Sequence, residues 1–531
     1  MGILLPEKFR HKMKGLLGEE FEAFLASYER PRKYGLRVNT LKLETDQFLR
    51  ISPFAQRLTP VPWTKEAFYY EEQDRPGKHP HYHAGLYYIQ EPSAMVPAEL
   101  LDVQPGDRVL DLCAAPGGKS TQLAAKLQGR GVLVTNDNAR ERTKALAKNV
   151  ELAGVRNAIV LNEEPAAIAR VFEGWFDRIL VDAPCSGEGM FRKDESMIAE
   201  WEKHSVERCS LMQKDILQHA AAMLAPGGTL VYSTCTFSPE ENEWQIARLL
   251  ADHPEMEVEA VELRYGWAAG RPDWISEELR APLSEERLAS VAGTVRLWPH
   301  LTEGEGHYAA VLRKRLTDAS DQPIAERQSN RDLPDESAKQ DSRGQRKSKS
   351  APNPAGRDRS LRSEAKGAKG GRDRHSGQKL HKREAAEVDP VASWQAFASG
   401  HLPTASDWPG RLVAFGSRLY LQPYGIPSLD GLHVVRAGWY LGEAGAHRFS
   451  PSHPLALGLR EMEAGSILEL LSDESDTLRY LKGETLALEP DRLPVAKGYV
   501  LVCVDHQPIG WGKYSGDGML KNELPAGWRW M

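Results

Sequence analysis

Residues 109–127 constrain this chain more than any other stretch, because they read as a strand, a glycine loop and a helix in immediate succession. Val109, Leu110 and Leu112 form a short apolar run of the kind a buried strand uses. Cys113, Ala114, Ala115, Pro116, Gly117, Gly118 and Lys119 follow as a loop of mostly small residues. From Ser120 to Leu127 apolar residues recur at helical spacing, with Ser120 or Thr121 as the expected N-cap. Doubly wound α/β domains hold nucleotide-like ligands with such a unit. The glycines let the backbone approach the ligand, and the helix start offers free N–H groups. A triphosphate-binding loop is excluded: it needs glycine five residues before the glycine of Gly-Lys-Ser, and Cys113 stands there, with Pro116 inside the loop. The G-x-G-x-x-G dinucleotide pattern is absent too. A single Gly-Gly pair also suits an ordinary strand-to-helix turn, so the weight falls on what lies downstream.

Downstream, strand and helix patterns alternate, which predicts a mostly parallel sheet with helices on both faces. A second strand over 131–135 ends at Asp137, about 20 residues past the glycine loop, where an acid is placed to bind ribose hydroxyls. A helix over 142–152 and a strand over 158–161 lead to Glu163 and Glu164; one of them could reach an adenine amino group, or both are surface acids. A strand over 178–181 ends in Asp182-Ala183-Pro184-Cys185-Ser186-Gly187. After a helix over 201–224 and a turn at 225–228, a strand over 229–232 ends in Ser233-Thr234-Cys235-Thr236. Ser238, Pro239 and the acids after them open the next helix. A turn and return strand close this region over 296–308. A carboxylate and a thiol at one strand tip, with a second thiol at another, are hard to explain as packing.

The chain of 531 residues has room for several domains, and its net charge of -6 makes any nucleic-acid surface local. The five cysteines are scattered without a C-x-x-C pair, which points away from zinc sites and disulfide frameworks and toward a reducing, cytoplasmic setting. The opening MGILLPEKFR lacks a signal-peptide apolar core, and no apolar run is long enough to span a bilayer.

Residues 1–95 read as a small α/β extension with a helical pattern over 9–28. Its basic strand carries Arg32, Lys33, Arg37 and Asn39, suited either to phosphate and base contacts or to a solvated strand edge. His81, Tyr82, His83, Tyr87 and Tyr88 could stack bases or pack a seam. Residues 96–315 hold the α/β domain. From 316 to 388 aromatics vanish and polar residues dominate, which predicts a disordered linker, strongly basic from 343 onward. Residues 389–531 alternate strand patterns with glycine turns, as in a small β-rich barrel. There Lys513 and Lys521, close to Trp511, Trp528 and Trp530, suit RNA.

The chemistry follows from the two thiols. Carbon 5 of a pyrimidine is a poor nucleophile toward a methyl donor. A thiolate adding to carbon 6 turns carbon 5 into an enamine-like nucleophile. The reaction needs that thiol, an acid near the ring and a base for release, and Cys235, Asp182 and Cys185 supply these types. CAAPGGK, DAPCSGEGMFRK and STCTFSPEENE resemble the signature motifs of the Nol1/Nop2/Sun family of RNA cytosine-5 methyltransferases. GEGMFRKD, RLWPH with GEGHY, and GWGK with LKN bring the resemblance nearest to the bacterial RsmF-like (YebU) ribosomal RNA branch. It covers residues 1 to about 315 and resumes from about 400.

The resemblance implies a Rossmann-like class I methyltransferase domain, an N-terminal RNA-binding extension and a C-terminal PUA-like domain. It implies S-adenosyl-L-methionine in the loop from Cys113 to Lys119, with Asp137 on the ribose, Arg142 and Glu163 in the cofactor set, and Asp182 near both the methyl donor and the base. It implies Cys235 as nucleophile, Cys185 as the thiol that aids product release, and Lys119 as a further catalytic group. The implied partner is RNA, ribosomal RNA of the small subunit first and transfer RNA as the alternative. No DNA, membrane or metal is expected, and the chain is expected to be a monomer. A DNA cytosine-5 methyltransferase would instead use Cys185 as nucleophile and would not need Cys235. A non-catalytic RNA-binding assembly factor would not need the full reactive set.

Overall fold

In the computed structural model the backbone is described for residues 5–193, 196–203, 206–316, 388–489, 492, 493, 495 and 497–530. The linker expected over 316–388 falls, but for its two ends, outside the described residues. Every described residue belongs to one compact unit, which joins the chain before 327 to the chain after 387.

The N-terminal region opens with two helices, α1 (Glu7–Leu17) and α2 (Phe21–Ser27). A single helix over 9–28 was expected; Gly18, at φ +54°, and a short 3-10 turn divide it. Four strands follow, β1 (Tyr34–Val38), β2 (Thr59–Pro60), β3 (Ala67–Tyr70) and β4 (Tyr87–Ile89), in the order β2-β3-β1-β4.

The central region contributes β5 (Arg108–Asp111), β6 (Val132–Asn136), β7 (Ala158–Leu161), β8 (Phe176–Asp182) and β9 (Leu224–Thr234), then β10 (Met256–Glu259), β11 (Ala268–Ala269), β12 (Val295–Leu297) and β13 (His307–Lys314). The five strands β9-β8-β5-β6-β7 run parallel, and β13 and β12 extend the sheet antiparallel beyond β9. The strand order reverses between β5 and β8, where open α/β sheets keep their sites. Alternate side chains bury two cores. Leu110, Val134, Ile179 and Leu230 face Leu217, Ala220 and Ile246 on one side. Val109, Leu133, Leu180 and Val231 face Leu123, Leu146 and Val150 on the other. These partners lie on α3 (Gly118–Leu127), α4 (Arg140–Leu152), α5 (Val206–Met223) and α6 (Glu243–Asp252).

The C-terminal region adds β14 (Arg411–Phe415), β15 (Arg418–Gln422), β16 (Val434–Arg436), β17 (Trp439–Ala444) and β18 (Phe449–Pro451). It continues with β19 (Ile467–Leu470), β20 (Leu486–Ala487), β21 (Gly498–Val504), β22 (Gln507–Tyr514) and β23 (Met519–Asn522). β14-β15-β17-β18 and β19-β21-β22-β23-β20 form two sheets, while β16 leaves them and pairs antiparallel with β7 at the edge of the central sheet.

The N-terminal polar residues serve structure. Arg37 is buried; its guanidinium donates to Thr121 Oγ1 at 2.7 Å, Gln122 Oε1 at 3.3 Å and Gln90. Asn39 Nδ2 donates to the carbonyls of Gly85 at 2.8 Å and Ala153 at 2.9 Å. Arg32 and Lys33 pair with Glu305 and Glu303. For Arg37 and Asn39 neither expected reading holds, phosphate contact or solvated strand edge: their side chains are buried and tie the β1 region to the central domain. The aromatic cluster packs a seam: His81 Nε2 lies 2.7 Å from Asp505 Oδ2, and the His83 ring sits tilted 5.3 Å from the Trp530 ring.

Candidate active site

The loop after β5 is shaped by backbone bonds. Ala114 N donates to Asn136 O and Gly117 N to Ala114 O, each at 2.8 Å. Ala115 N donates to Asp137 Oδ2 at 3.3 Å, and Pro116 O accepts from Asn149 Nδ2 at 2.7 Å. Gly117 sits at φ +110° and precedes α3, so the helix starts at Gly118 rather than at the expected Ser120. Ser120, instead of capping, donates its hydroxyl to Asp111 Oδ2 at 2.6 Å. Arg142 Nη2 donates to Ala115 O at 2.9 Å and lies 3.3 Å from Asp137 Oδ2, so Arg142 braces this loop from outside. Asp137 also accepts from Ala139 N at 2.9 Å. Burial pushes the Cys113 thiol well up and leaves it neutral.

The chemistry of these donors fits a cationic, adenosine-bearing cofactor. Asp111 is buried at the base of the loop, and one of its carboxylate oxygens has no partner among the described residues. Burial pushes its pKa up to about 7, and Asp182 and Asp137 add to the rise. Three carboxylates sharing one loop suit a sulfonium, an ammonium and a ribose diol better than they suit phosphate.

The tips of β8 and β9 are adjacent, with Asp182 opposite Ser233. Cys185 Sγ and Cys235 Sγ lie 3.2 Å apart. Lys119 Nζ donates to Asp182 Oδ2 at 2.8 Å, and Ser233 Oγ donates to Asp182 Oδ1 at 2.8 Å. His307 Nε2 stands 3.5 Å from the same Oδ1. The surroundings penalise the Asp182 charge, but Lys119 and then His307 outweigh that and hold its carboxyl well below the usual range. For Lys119, burial works against the ammonium and Asp182 outweighs it, with Cys235 a further attraction, so its pKa is raised. The Cys185 thiol is pushed well up, first by its contact with Cys235 and then by burial.

Two buried glutamates frame the thiols. Glu188 accepts from Thr236 Oγ1 at 2.7 Å, Phe237 N at 2.8 Å, Ser238 Oγ at 2.6 Å and Trp201 Nε1 at 3.1 Å. Gly189 N donates to Cys235 O at 2.9 Å, and a Cβ at Gly189 would stand 3.0 Å from that oxygen. Glu188 and Gly189 thus clamp the Cys185 loop onto the Cys235 loop. Glu241 accepts from Ser186 N and Gln213 Nε2, each at 2.9 Å, while burial and then the Glu188 charge push its pKa up to about 7. Beneath, Phe9, Phe24, Phe191, Phe237 and Trp298 pack α1 and α2 against both loops. A cavity of about 200 Å³ opens beside Cys185, walled by Ser186, Met197, Trp201 and Met212.

The structure therefore gathers Cys185, Cys235, Asp182 and Lys119 and seats Asp137 beside the loop. Glu163 Oε1 accepts from His433 N at 2.5 Å, and the Glu164 carboxylate accepts from Asn138 Nδ2. Sequence reasoning missed Ser233, His307, Glu188 and Glu241. All four stand inside motifs it had quoted, so only the three-dimensional pairing was lacking. In the C-terminal region Lys513 lies over the Tyr499 ring, and Lys521 lies 3.6 Å from Glu523.

Four family models match the chain: 16S rRNA methyltransferase RsmB/F over residues 98–313, the N-terminal domain of 16S rRNA methyltransferase RsmF over 5–92, the RsmF rRNA methyltransferase first C-terminal domain over 396–459 and the methyltransferase RsmF PUA domain over 468–530. A ribosomal RNA small subunit methyltransferase F of Erwinia tasmaniensis is 30% identical over 537 residues, spanning 98% of this chain and 96% of that protein. The protein of the same name from Vibrio campbellii is 39% identical over 324 residues, or 59% of this chain and 64% of its own length. The solved structure described as Crystal Structure of PH0851 is 28% identical at a TM-score of 0.51, covering 59% of this chain and 67% of that one. The Rossmann-like methyltransferase fold, the N-terminal extension and the PUA-like C-terminal domain expected from the sequence are borne out.

Proposed function

The chain belongs to the ribosomal RNA small subunit methyltransferase F family, and from that premise we propose that it methylates carbon 5 of a cytidine in 16S ribosomal RNA, using S-adenosylmethionine and a covalent Cys235–cytosine adduct. The observation that carries this reading is the pair of thiols 3.2 Å apart beside an ionised aspartate. S-adenosylmethionine, held between the 113–119 loop and Asp137, supplies an electrophilic methyl group. When it is bound, Asp111 and Asp182 would face its positive charge, and Asp137 would hold the ribose hydroxyls. Arg142 keeps the loop closed on Asp137.

The Cys235 thiolate forms a bond to carbon 6, and the ring's 5,6 double-bond electrons move toward carbon 5. Lys119 holds Asp182 charged, and Asp182 orients the pyrimidine edge. Carbon 5 takes the methyl group, then loses its proton to a water molecule as the carbon 6–sulfur bond breaks; the base role expected of Cys185 does not suit a thiol that its surroundings keep protonated. Cys185, kept protonated by its neighbour and by burial, lies 3.2 Å from the Cys235 sulfur and can share its S–H with it as it departs. An S–H donor within contact distance of a leaving thiolate lowers the cost of expelling it. Trp201, Met197 and Met212 beside Cys185 offer soft, flat surfaces to a nucleobase.

The test is one denaturing gel of wild type, Cys235→Ala, Cys185→Ala and the double variant, each incubated with RNA and methyl donor. Cys185→Ala should methylate once, stall and accumulate a protein–RNA adduct, while Cys235→Ala and the double variant show none. An adduct in Cys235→Ala with none in Cys185→Ala would reverse the assignment to the DNA-enzyme type. Bisulfite mapping of 16S and transfer RNA from cells lacking the gene identifies the substrate; loss of a transfer RNA mark alone overturns the ribosomal assignment.

A further inference from the structure

The outer wall of the cofactor loop set is not built by the central region alone. β16 pairs with β7, Val434 opposite Leu161 and Arg436 opposite Val160. The chain leading into it buries Ile426 and packs Leu429, Leu432 and Val434 against the main core. Arg436 Nε meets Glu151 Oε1 of α4 at 2.5 Å. Where β7 ends, the contacts converge on one residue. Asn162 N donates to His433 O at 3.0 Å, and His433 N donates to Glu163 Oε1 at 2.5 Å. Asn162 in turn sends its side-chain N–H to Asp137 O at 2.7 Å and to Thr143 Oγ1 at 3.1 Å. The backbone of His433 thus holds Glu163 directly and Asp137 through Asn162.

We propose that residues 426–436 are a working part of the cofactor site: they position Glu163 and Asp137 for the adenosine, so that cofactor affinity depends on the C-terminal region. The proposal rests on reading the 113–119 loop and Asp137 as the S-adenosylmethionine site. A carboxylate already held by a backbone N–H gives up less freedom when a ligand arrives, and a loop pinned by a sheet edge meets the ligand in place. His433 and Asn162 act here as positioning residues. By linkage, a ligand of the C-terminal region that alters this contact changes cofactor affinity, and the cofactor changes that ligand's affinity by the same factor.

Arg436→Glu sets a like charge against Glu151 and loosens β16 without touching any cofactor-binding residue. Titration of the full chain with S-adenosylhomocysteine, in the absence of RNA, should give a Kd at least fivefold weaker in Arg436→Glu. The double exchange Glu151→Arg with Arg436→Glu should return it to within twofold of wild type. In the wild-type chain, S-adenosylhomocysteine should slow hydrogen exchange at the amides of Asn162 and His433. A Kd within twofold of wild type in a folded Arg436→Glu, or cofactor protection that stops short of residues 429–436, overturns the proposal. Should the variant not fold, exchange on the wild type decides. A wild-type chain that binds no S-adenosylhomocysteine brings down the cofactor reading as well, whereas normal wild-type binding with an indifferent variant removes this inference alone.

Discussion

Asp182 at the tip of β8 and Glu241 just past the tip of β9 are carboxyl groups of neighbouring loops, yet they titrate in opposite directions. Asp182 has an ammonium 2.8 Å away and is held below the usual carboxylate range. Glu241 accepts from neutral groups of Ser186 and Gln213, faces the charge of Glu188, and is pushed up to about 7. The difference is chiefly the Lys119 ammonium, with His307 adding to it at Asp182 and the Glu188 charge opposing ionisation at Glu241. It separates a group held ionised from one that takes up a proton near neutrality. Folding linkage separates them too. The depressed Asp182 adds stability that is full above the unfolded value of about 3.9 and is lost as pH falls through its lower folded value. The raised Glu241 binds its proton more tightly when folded, so its contribution is present below the unfolded value and disappears as pH rises toward about 7.

Removing the ammonium should bring the two closer, and this is the largest effect. Lys119→Met leaves the Asp182 surroundings to penalise its charge unopposed by the ammonium. The acid limb of kcat/KM against pH should move up, and the rate at neutral pH should fall on the order of 10²- to 10³-fold. A variant whose acid limb stays in place would show that Lys119 does not set the charge of Asp182. Next, Glu241→Gln keeps an acceptor for Ser186 and Gln213 but cannot ionise. Stability measured by denaturant at pH 5 and pH 8 should then lose a pH-dependent component on the order of 3 kcal/mol; an unchanged difference between the two pH values would mean Glu241 is already ionised at pH 5. Smallest is Ser233→Ala, which deletes the hydroxyl donated to Asp182 Oδ1. It should cost about 1.4 kcal/mol, or roughly tenfold in kcat/KM, with cofactor affinity unchanged.

The parallel sheet, its strand tips and the residues on them were legible because each rests on local pattern: apolar runs, small-residue loops and acids or thiols at fixed places after them. Arg37 and Asn39 were not. A basic strand looks the same whether its side chains meet phosphate or carbonyls 46 to 114 residues away in sequence. His307 and Glu188 stand within sequence motifs, but their partners lie on a distant strand tip and loop, and no spacing along one chain reveals that Glu188 closes on Thr236 and Ser238. The start of α3 was misplaced because Ser120 has the composition of a cap and the burial of a core residue. β16 was the least legible. Three residues inside a β-rich region carry no mark that they leave their own sheets to finish another.

That last strand has a consequence for how the protein is made. Its partner β7 emerges from the ribosome about 270 residues before it. At about 5–20 residues per second, the outer edge of the nascent sheet stands unpaired for on the order of tens of seconds. A row of free N–H and C=O groups beside Ala158, Ile159 and Val160 is a template for stray pairing with another chain. The nascent protein is therefore most vulnerable to aggregation after its catalytic half has been synthesised and before its C-terminal region has arrived. A truncated product ending before residue 426 would keep that open edge permanently.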